Sequence, residues 1–316
     1  MYKQKNVRFN NFSILEVAAG IYAVISYEGS HGMSNAGIID VGEYTVVFDA
    51  FLSPEAAEEL KAAAEALTGK QPSYVINSHY HIDHTGGNQA FASGSKIIAG
   101  EMTRRSMSAK NMGMVNYYRE EGRDIIEHLR MQLEKATDDE DKNQLKEQLI
   151  YAVTITDGNF KLTMPDITFA GRLIIRGSKN RVEIVNLYGG HTECDTIAYI
   201  PNKKVMFTGD IVFVGRHPWV GAGDPYKLCG ILEDLETYDA DVIIPGHGKP
   251  GNRADIGLMI EYINIIKGIA YEIANKKKSI EEIDARCLPA PFNEWKGNKL
   301  IPNIRCLMDK YRVKPV

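Results

Sequence analysis

Along the first hundred residues, short runs of β-branched and aromatic side chains alternate with glycine breaks. Ile21–Tyr27, Asn35–Asp40 and Tyr44–Asp49 have this texture and predict strands. Ser53 followed by Pro54 and Glu55 opens a helix expected to run to about Leu67. Ser73–Asn77 and Lys96–Ala99 predict two further short strands. From about residue 102 to 153 the period changes. Ile125, Ile126, Leu129 and Leu133 recur at helical spacing, as do Leu145 and Leu149. Thr137-Asp138-Asp139-Glu140 between them supplies a turn and a new N-cap, so a helical hairpin insert is expected. Beyond it, strands are predicted over Ile167–Ile175, Arg181–Leu187, Thr196–Ile200, Lys204–Thr208 and Val242–Ile244. Helices are predicted over Pro225–Tyr238 and Ala254–Asn275, with a last short helix in the tail. No repeat or flexible linker interrupts this order, so residues 1–316 read as one α/β domain.

Composition narrows the picture by exclusion. A net charge of -4 argues against a dedicated nucleic-acid surface. The run Lys276, Lys277, Lys278 closes a helix-like segment, where it suits the helix dipole better than a phosphate. There is no 18-residue apolar stretch to span a membrane and no leader-like N-terminus. Cys194, Cys229, Cys287 and Cys306 form no CxxC pair, which suits reduced thiols, and a cytoplasmic location is expected. Met102, Met107, Met112 and Met114 at the start of the insert adapt easily to irregular surfaces. Packing against the body is their expected role, with a substrate lid or an interface in a homo-oligomer as alternatives.

The chemistry concentrates in Ser78-His79-Tyr80-His81-Ile82-Asp83-His84, which follows a strand and precedes Thr85-Gly86-Gly87. His79 and His81 are two apart, so in extended chain they face the same side and can share one metal. Asp83 and His84 follow the turn and can face a second ion. This mixture of imidazole and carboxylate suits zinc or another borderline divalent ion. Three later contexts repeat the theme: Gly189-Gly190-His191, Thr208-Gly209-Asp210 and Pro245-Gly246-His247. Each sets one metal-capable side chain where a predicted strand meets a glycine, and strand ends along one sheet edge are where α/β folds gather a site. A lone histidine would be an ordinary core or surface residue; five of the chain's eight histidines in such contexts are not.

Together these motifs resemble the metallo-β-lactamase superfamily over nearly the whole chain. The resemblance implies a four-layer αββα sandwich with its site along one edge of two sheets. It implies that His79, His81 and His191 bind a first metal, that Asp83, His84 and His247 bind a second, and that Asp210 bridges both. Two zinc ions are expected, with iron or manganese as alternatives, because these ligands suit all three. A metal-bridging hydroxide would attack an ester-, thioester-, lactone- or amide-type bond of a small molecule, with Asp83 accepting the attacking water's proton. A phosphodiester substrate, or persulfide oxidation at a single iron, are the alternatives on the same scaffold.

Departures from known branches refine this expectation. Many exported zinc lactamases carry cysteine where Asp210 stands, and acyl-homoserine lactonases tend to carry tyrosine where Phe213 stands. The superfamily's nucleases hold a large domain between motifs, for which there is no room between Asp210 and His247. The diiron proteins carry glutamate where His81 stands. Around the ligands, Asp49, Thr192 and Asp195 are candidate hydrogen-bond partners. Arg216 and His217 should border the pocket and are candidates for a substrate carboxylate or phosphate. His31 and His128 read as structural or exposed, and Cys194 as a small buried hydrophobe.

Overall fold

A computed structural model describes residues 2–5, 8–275, 279–297 and 299–312. The lysine run 276–278 therefore lies outside the described residues. Among those described, thirteen strands form two sheets. The first holds, in order, β1 (Lys3–Gln4), β2 (Phe12–Ala18), β3 (Ile21–Ser26), β4 (Ala36–Asp40), β5 (Thr45–Phe48), β6 (Pro72–Asn77), β7 (Lys96–Gly100) and β8 (Ile167–Phe169). Pairing is antiparallel from β1 to β5 and parallel from β5 to β8. The second runs β13 (Val242–Gly248), β12 (Val205–Val214), β11 (Thr196–Ile200), β10 (Arg181–Asn186), β9 (Arg172–Arg176), and its β12–β13 pair alone is parallel.

Burial explains why β4, β5 and β11 read as unbroken apolar runs rather than alternating ones: both of their faces are covered. Inner faces of the two sheets meet in a shared core that includes Ile39, Phe48 and Ile76 from one and Ile184, Ile200, Phe207 and Ile244 from the other. The outer face of the first sheet packs on the helix Pro54–Thr68 through Ala56, Ala57, Leu60 and Ala64. The outer face of the second is covered by Pro225–Glu236, Arg253–Ala274 and Leu300–Arg312. The result is the expected αββα sandwich.

Local chemistry sets the helix ends. Ser53 accepts from Ala56 N, Pro54 opens the first turn and Gly69 closes the helix at φ +72°. Asn252 and Asp255 form a reciprocal capping box on Arg253–Ala274.

Three expectations need correction. The strand predicted over Ile167–Ile175 is two strands in different sheets, because Gly171 (φ +69°) turns the chain between them. The strands predicted to stop at Thr208 and Ile244 run on to Val214 and Gly248. Gly209 marks register shifts in β12, so here the glycine makes a bulge and not a strand end. Phe12–Ala18 forms a further strand, beyond those the pattern predicts, and buries Phe12 and Ile14.

The insert is a helical hairpin. Its first arm comprises Glu101–Ser106, a π-helical stretch Met107–Asn111 and Met112–Lys135, and its second is Asp139–Thr156, capped by Asp138. Met107 packs against Tyr80 and Cys194 in a small buried cluster, with Met102 at its margin, while Met112 and Met114 are exposed. No helix among the described residues is long and apolar enough to cross a membrane.

The sheets meet closely at Gly37 of β4, where an added Cβ would lie 2.3 Å from Cε1 of Phe207. Gly37→Ala should therefore destabilise the fold by roughly 1–3 kcal/mol through overpacking. A lowered urea midpoint with an unchanged slope is the expected reading.

Candidate metal centre

Seven side chains converge where the two sheets present the same edge. His79 and His81 lie just after β6, and Asp83 and His84 sit on the short helical turn Ile82–Thr85. That turn rests directly on backbone: an added Cβ would lie 2.1 Å from Leu52 O at Gly86 and 2.0 Å from Ala50 O at Gly87. No other residue fits there, which is the physical reason for the paired glycines. His191 rides the turn opened by Gly189 (φ +151°) and Gly190 (φ +115°). Asp210 lies in the bulged part of β12 and His247 near the end of β13. Gly246 keeps β13 close, since an added Cβ would lie 1.9 Å from Asp210 Oδ1.

The donor atoms fall into two groups, His79, His81, His191 and Asp210, and Asp83, His84 and His247, each within 4.8 Å. His191 Nε2 stands 3.1 Å from His81 Nδ1 and 3.3 Å from Asp210 Oδ2. His84 Nε2 lies 3.1 Å from Asp210 Oδ1 and 3.4 Å from Asp83 Oδ2, and His247 Nε2 is 3.2 Å from Asp83 Oδ2. Not all of these short distances are hydrogen bonds. His79 Nε2, His84 Nε2 and Asp210 Oδ1 are buried and make no hydrogen bond. His84 Nε2 and Asp210 Oδ1 lie 3.1 Å apart, yet neither meets the geometry of a hydrogen bond. Orphaned polar atoms are rare and costly in protein interiors.

Outer contacts fix the rings. Asp49 Oδ2 lies 2.8 Å from His84 Nδ1, and Asp49 also accepts from Ser78 N and Oγ at 2.7 and 2.8 Å. Asp49 holds a left-handed backbone (φ +60°), a strained conformation for a non-glycine residue that its carboxylate contacts hold in place. Ser78 Oγ lies 2.9 Å from His79 Nδ1, and the Trp219 carbonyl 2.9 Å from His191 Nδ1. Phe213 stacks on His247 with centroids 5.3 Å apart. Asn35 ties β13 to the first sheet, donating to Pro245 O at 3.0 Å and Gly248 O at 2.7 Å. Of the partners anticipated from sequence, Asp49 touches a cluster histidine. Asp195 instead accepts from Thr192 N and Oγ1 and braces the His191 turn. Ser78, Trp219 and Asn35 were missed. A serine beside a histidine hints at Ser78, but nothing local announces the carbonyl of Trp219 or a contact across more than 200 residues.

Electrostatics separates the imidazoles. Burial drives His79 far down and His81 to about 3, so both stay neutral. Burial alone would raise Asp83 and Asp210, but facing imidazoles, His84 and His247, hold both carboxyls well below the usual range. Reciprocally, and against burial, Asp210 and Asp83 hold His84 and His247 up, His247 to about 9.

A cavity of about 550 Å³ opens on this cluster. His81, Asp83, His191, Asp210 and His247 form its floor, with Met33, Phe213 and Trp219 among its apolar walls. Arg216 and His217 border it as anticipated. His217 is buried and not part of a solvated loop, and Arg216 faces Glu28 and Glu147 at 3.3 and 3.9 Å. From the insert, Asp139, Glu140, Asn143, Gln144, Glu147 and Tyr151 reach the cavity, so its polar second arm lines the space and its methionines do not. His31 is half-buried and His128 exposed. Cys194 is buried outside both donor groups, its thiol pushed up to about 11 by burial.

The family profile described as "Metallo-beta-lactamase superfamily" matches residues 29–247, and the chain belongs to that superfamily. A linear primary-alkylsulfatase from a Pseudomonas species is 21% identical over 219 residues, 67% of this chain and 41% of the relative. A hydroxyacylglutathione hydrolase from Rhodospirillum rubrum is 45% identical over 51 residues, 16% of this chain and 20% of the relative. The chain thus spans less than half the length of either. In structure it is similar to the sec-alkylsulfatase Pisa1 from Pseudomonas (TM-score 0.66, 18% identity, 96% of this chain and 52% of that one). It is also similar to a metallo-β-lactamase from Pontibacter korlensis (TM-score 0.58, 18% identity, 84% and 99%). At these identities the structural likeness shows the shared fold.

Burial holds His217 down at about 4, against an ordinary value near 6.5. The unfolded chain then binds more protons in that interval, so this contribution is present above about pH 6.5 and lost as pH falls toward 4. Wild type should lose up to ~3 kcal/mol more than His217→Gln between pH 7 and 4. Urea midpoints at both pH values decide it, and equal losses would contradict a neutral buried imidazole.

Proposed function

We propose that the seven-residue cluster holds two divalent metal ions, expected to be zinc, and that the protein hydrolyses an ester-type bond of a small molecule. The observation that carries this reading is the trio of buried, unsatisfied atoms, His79 Nε2, His84 Nε2 and Asp210 Oδ1. Left without a protein hydrogen bond, they fit cations bound within the donor groups. Five imidazoles and two carboxylates suit zinc, and suit iron or manganese as well. Two separate donor groups, with Asp210 of the first also 3.1 Å from His84 of the second, favour a two-metal site over the single-iron alternative. The relatives' names bring two bond types to the proposal, the sulfate ester and the thioester.

Bound ions of this kind polarise the scissile group and lower the pKa of water to near neutrality. The chain's own residues do the rest. Asp49 accepts from His84 Nδ1, leaving Nε2 free to point inward. The Trp219 carbonyl does the same for His191. Asp210 offers one oxygen to each donor group. Asp83, whose carboxylate lines the cavity, accepts the proton of the attacking water.

The test is a screen of phenyl acetate, a thioester, a lactone, a primary alkyl sulfate and a phosphodiester. Turnover of at least one substrate, abolished by chelation and restored by zinc, is expected. Metal-independent turnover, or none at all from fully metallated protein, sinks the reading. Asp210→Ala should lose metal and drop to background turnover while remaining folded. Asp49→Ala should weaken metal affinity by about 10–100-fold, as loss of an outer partner typically does, measured by competition with a chromogenic chelator.

A further inference from the structure

Beyond the metal centre, the same cavity has a wall of different chemistry. After β12 the chain continues through Gly215, Arg216 and His217 and pairs with the C-terminal segment. His217 N donates to Lys296 O at 2.8 Å, Lys296 N donates to Gly215 O at 3.1 Å, and Arg216 and Lys296 form a parallel bridge. This pairing sets Arg216, His217, Lys296 and Lys299 along one side of the cavity. Lys299 is exposed, 5.9 Å above the Trp219 ring, and has no carboxylate partner among the described residues.

His217 is the telling member. It is 4% exposed, its Nδ1 lies 3.0 Å from Tyr262 Oη, and its Nε2 is buried with no partner. When the Tyr262 hydroxyl donates to Nδ1, the neutral ring carries its hydrogen on Nε2. A buried ring nitrogen without a partner, on a cavity wall beside three cations, points to an oxyanion.

The protein's own carboxylates show what this wall accepts. Glu140 Oε1 accepts from Gly297 N at 2.7 Å, and Glu147 stands 3.9 Å from Arg216, both reaching across from the insert. Glu28 approaches Arg216 and Lys296 at 3.3 Å each. An incoming anion would take up contacts of the kind these side chains make.

We propose that this wall, built by Arg216, His217, Lys296 and Lys299, is a subsite for an oxyanion that the substrate carries away from the bond being cleaved. The substrates are then anionic esters, carboxylate- or sulfonate-bearing, with the reacting group over the metal centre and the charge on the wall. The inference rests on the hydrolytic reading of that centre.

The experiment compares 4-acetoxybenzoate and 4-acetoxybenzenesulfonate with neutral phenyl acetate on the metal-loaded protein, in wild type, Lys299→Glu and His217→Asn. In wild type the anionic esters should gain over the neutral one, through KM, and the gain should shrink with added salt. Lys299→Glu, an exposed change that leaves the core intact, should cut the anionic-to-neutral ratio of kcat/KM by about tenfold, the equivalent of one lost charge contact. His217→Asn should cut it in the same direction. Carboxylate against sulfonate tells which oxyanion the wall prefers. A ratio unchanged within about twofold in Lys299→Glu overturns the proposal. If none of these esters and no substrate of the wider screen is turned over, the hydrolytic reading falls. Calorimetric titration of 4-hydroxybenzoate into wild type and Lys299→Glu then still decides the wall, with equal affinities counting against it.

Discussion

Bringing two carboxylates and five imidazoles together inside a protein is expensive, and the rest of this molecule is arranged around that cost. Stripping such groups of water is unfavourable unless each finds a partner. Within the protein the partners are incomplete, since three donor atoms at the centre remain unsatisfied. The strained backbone at Asp49, the glycine pair under the Ile82–Thr85 turn and the bulge at Gly209 are local concessions to the same convergence. They are held in place by the large cores on both sides of each sheet.

The sandwich delivers the seven groups because both sheets expose the same edge. β6 hands over His79 and His81, β12 hands over Asp210, and β13 hands over His247. Asn35 and Ser78 stitch these segments, Asn35 across the two sheets and Ser78 to Asp49 and His79. Each donor group draws side chains from both sheets, so a displacement of either sheet would split both groups.

Much of this was legible in the sequence, for reasons that are physical. The central strands are apolar on both sides, the helices Pro54–Thr68, Asp139–Thr156 and Arg253–Ala274 carry caps, and most donor side chains sit beside glycines that only tight turns or close approaches explain. What was not legible depends on contacts distant in sequence. The break at Gly171 is decided by which sheet each half can join. The continuation of β12 through Gly209 depends on β13 lying alongside. The carbonyl of Trp219 leaves no mark in any local pattern, and neither does the reach of Glu140 and Glu147 from the insert to the wall opposite. The adaptable methionines stand at the start of the insert, yet its acidic second arm is what meets the cavity.

The central claim is that the seven side chains are the two halves of a dinuclear site. Elemental mass spectrometry on protein purified without added metal or chelator tests it most directly. About two divalent ions per chain, zinc foremost, is the predicted result. About one iron per chain would contradict it and shift the account to single-metal oxidation, and no bound metal after exposure to zinc would contradict it outright.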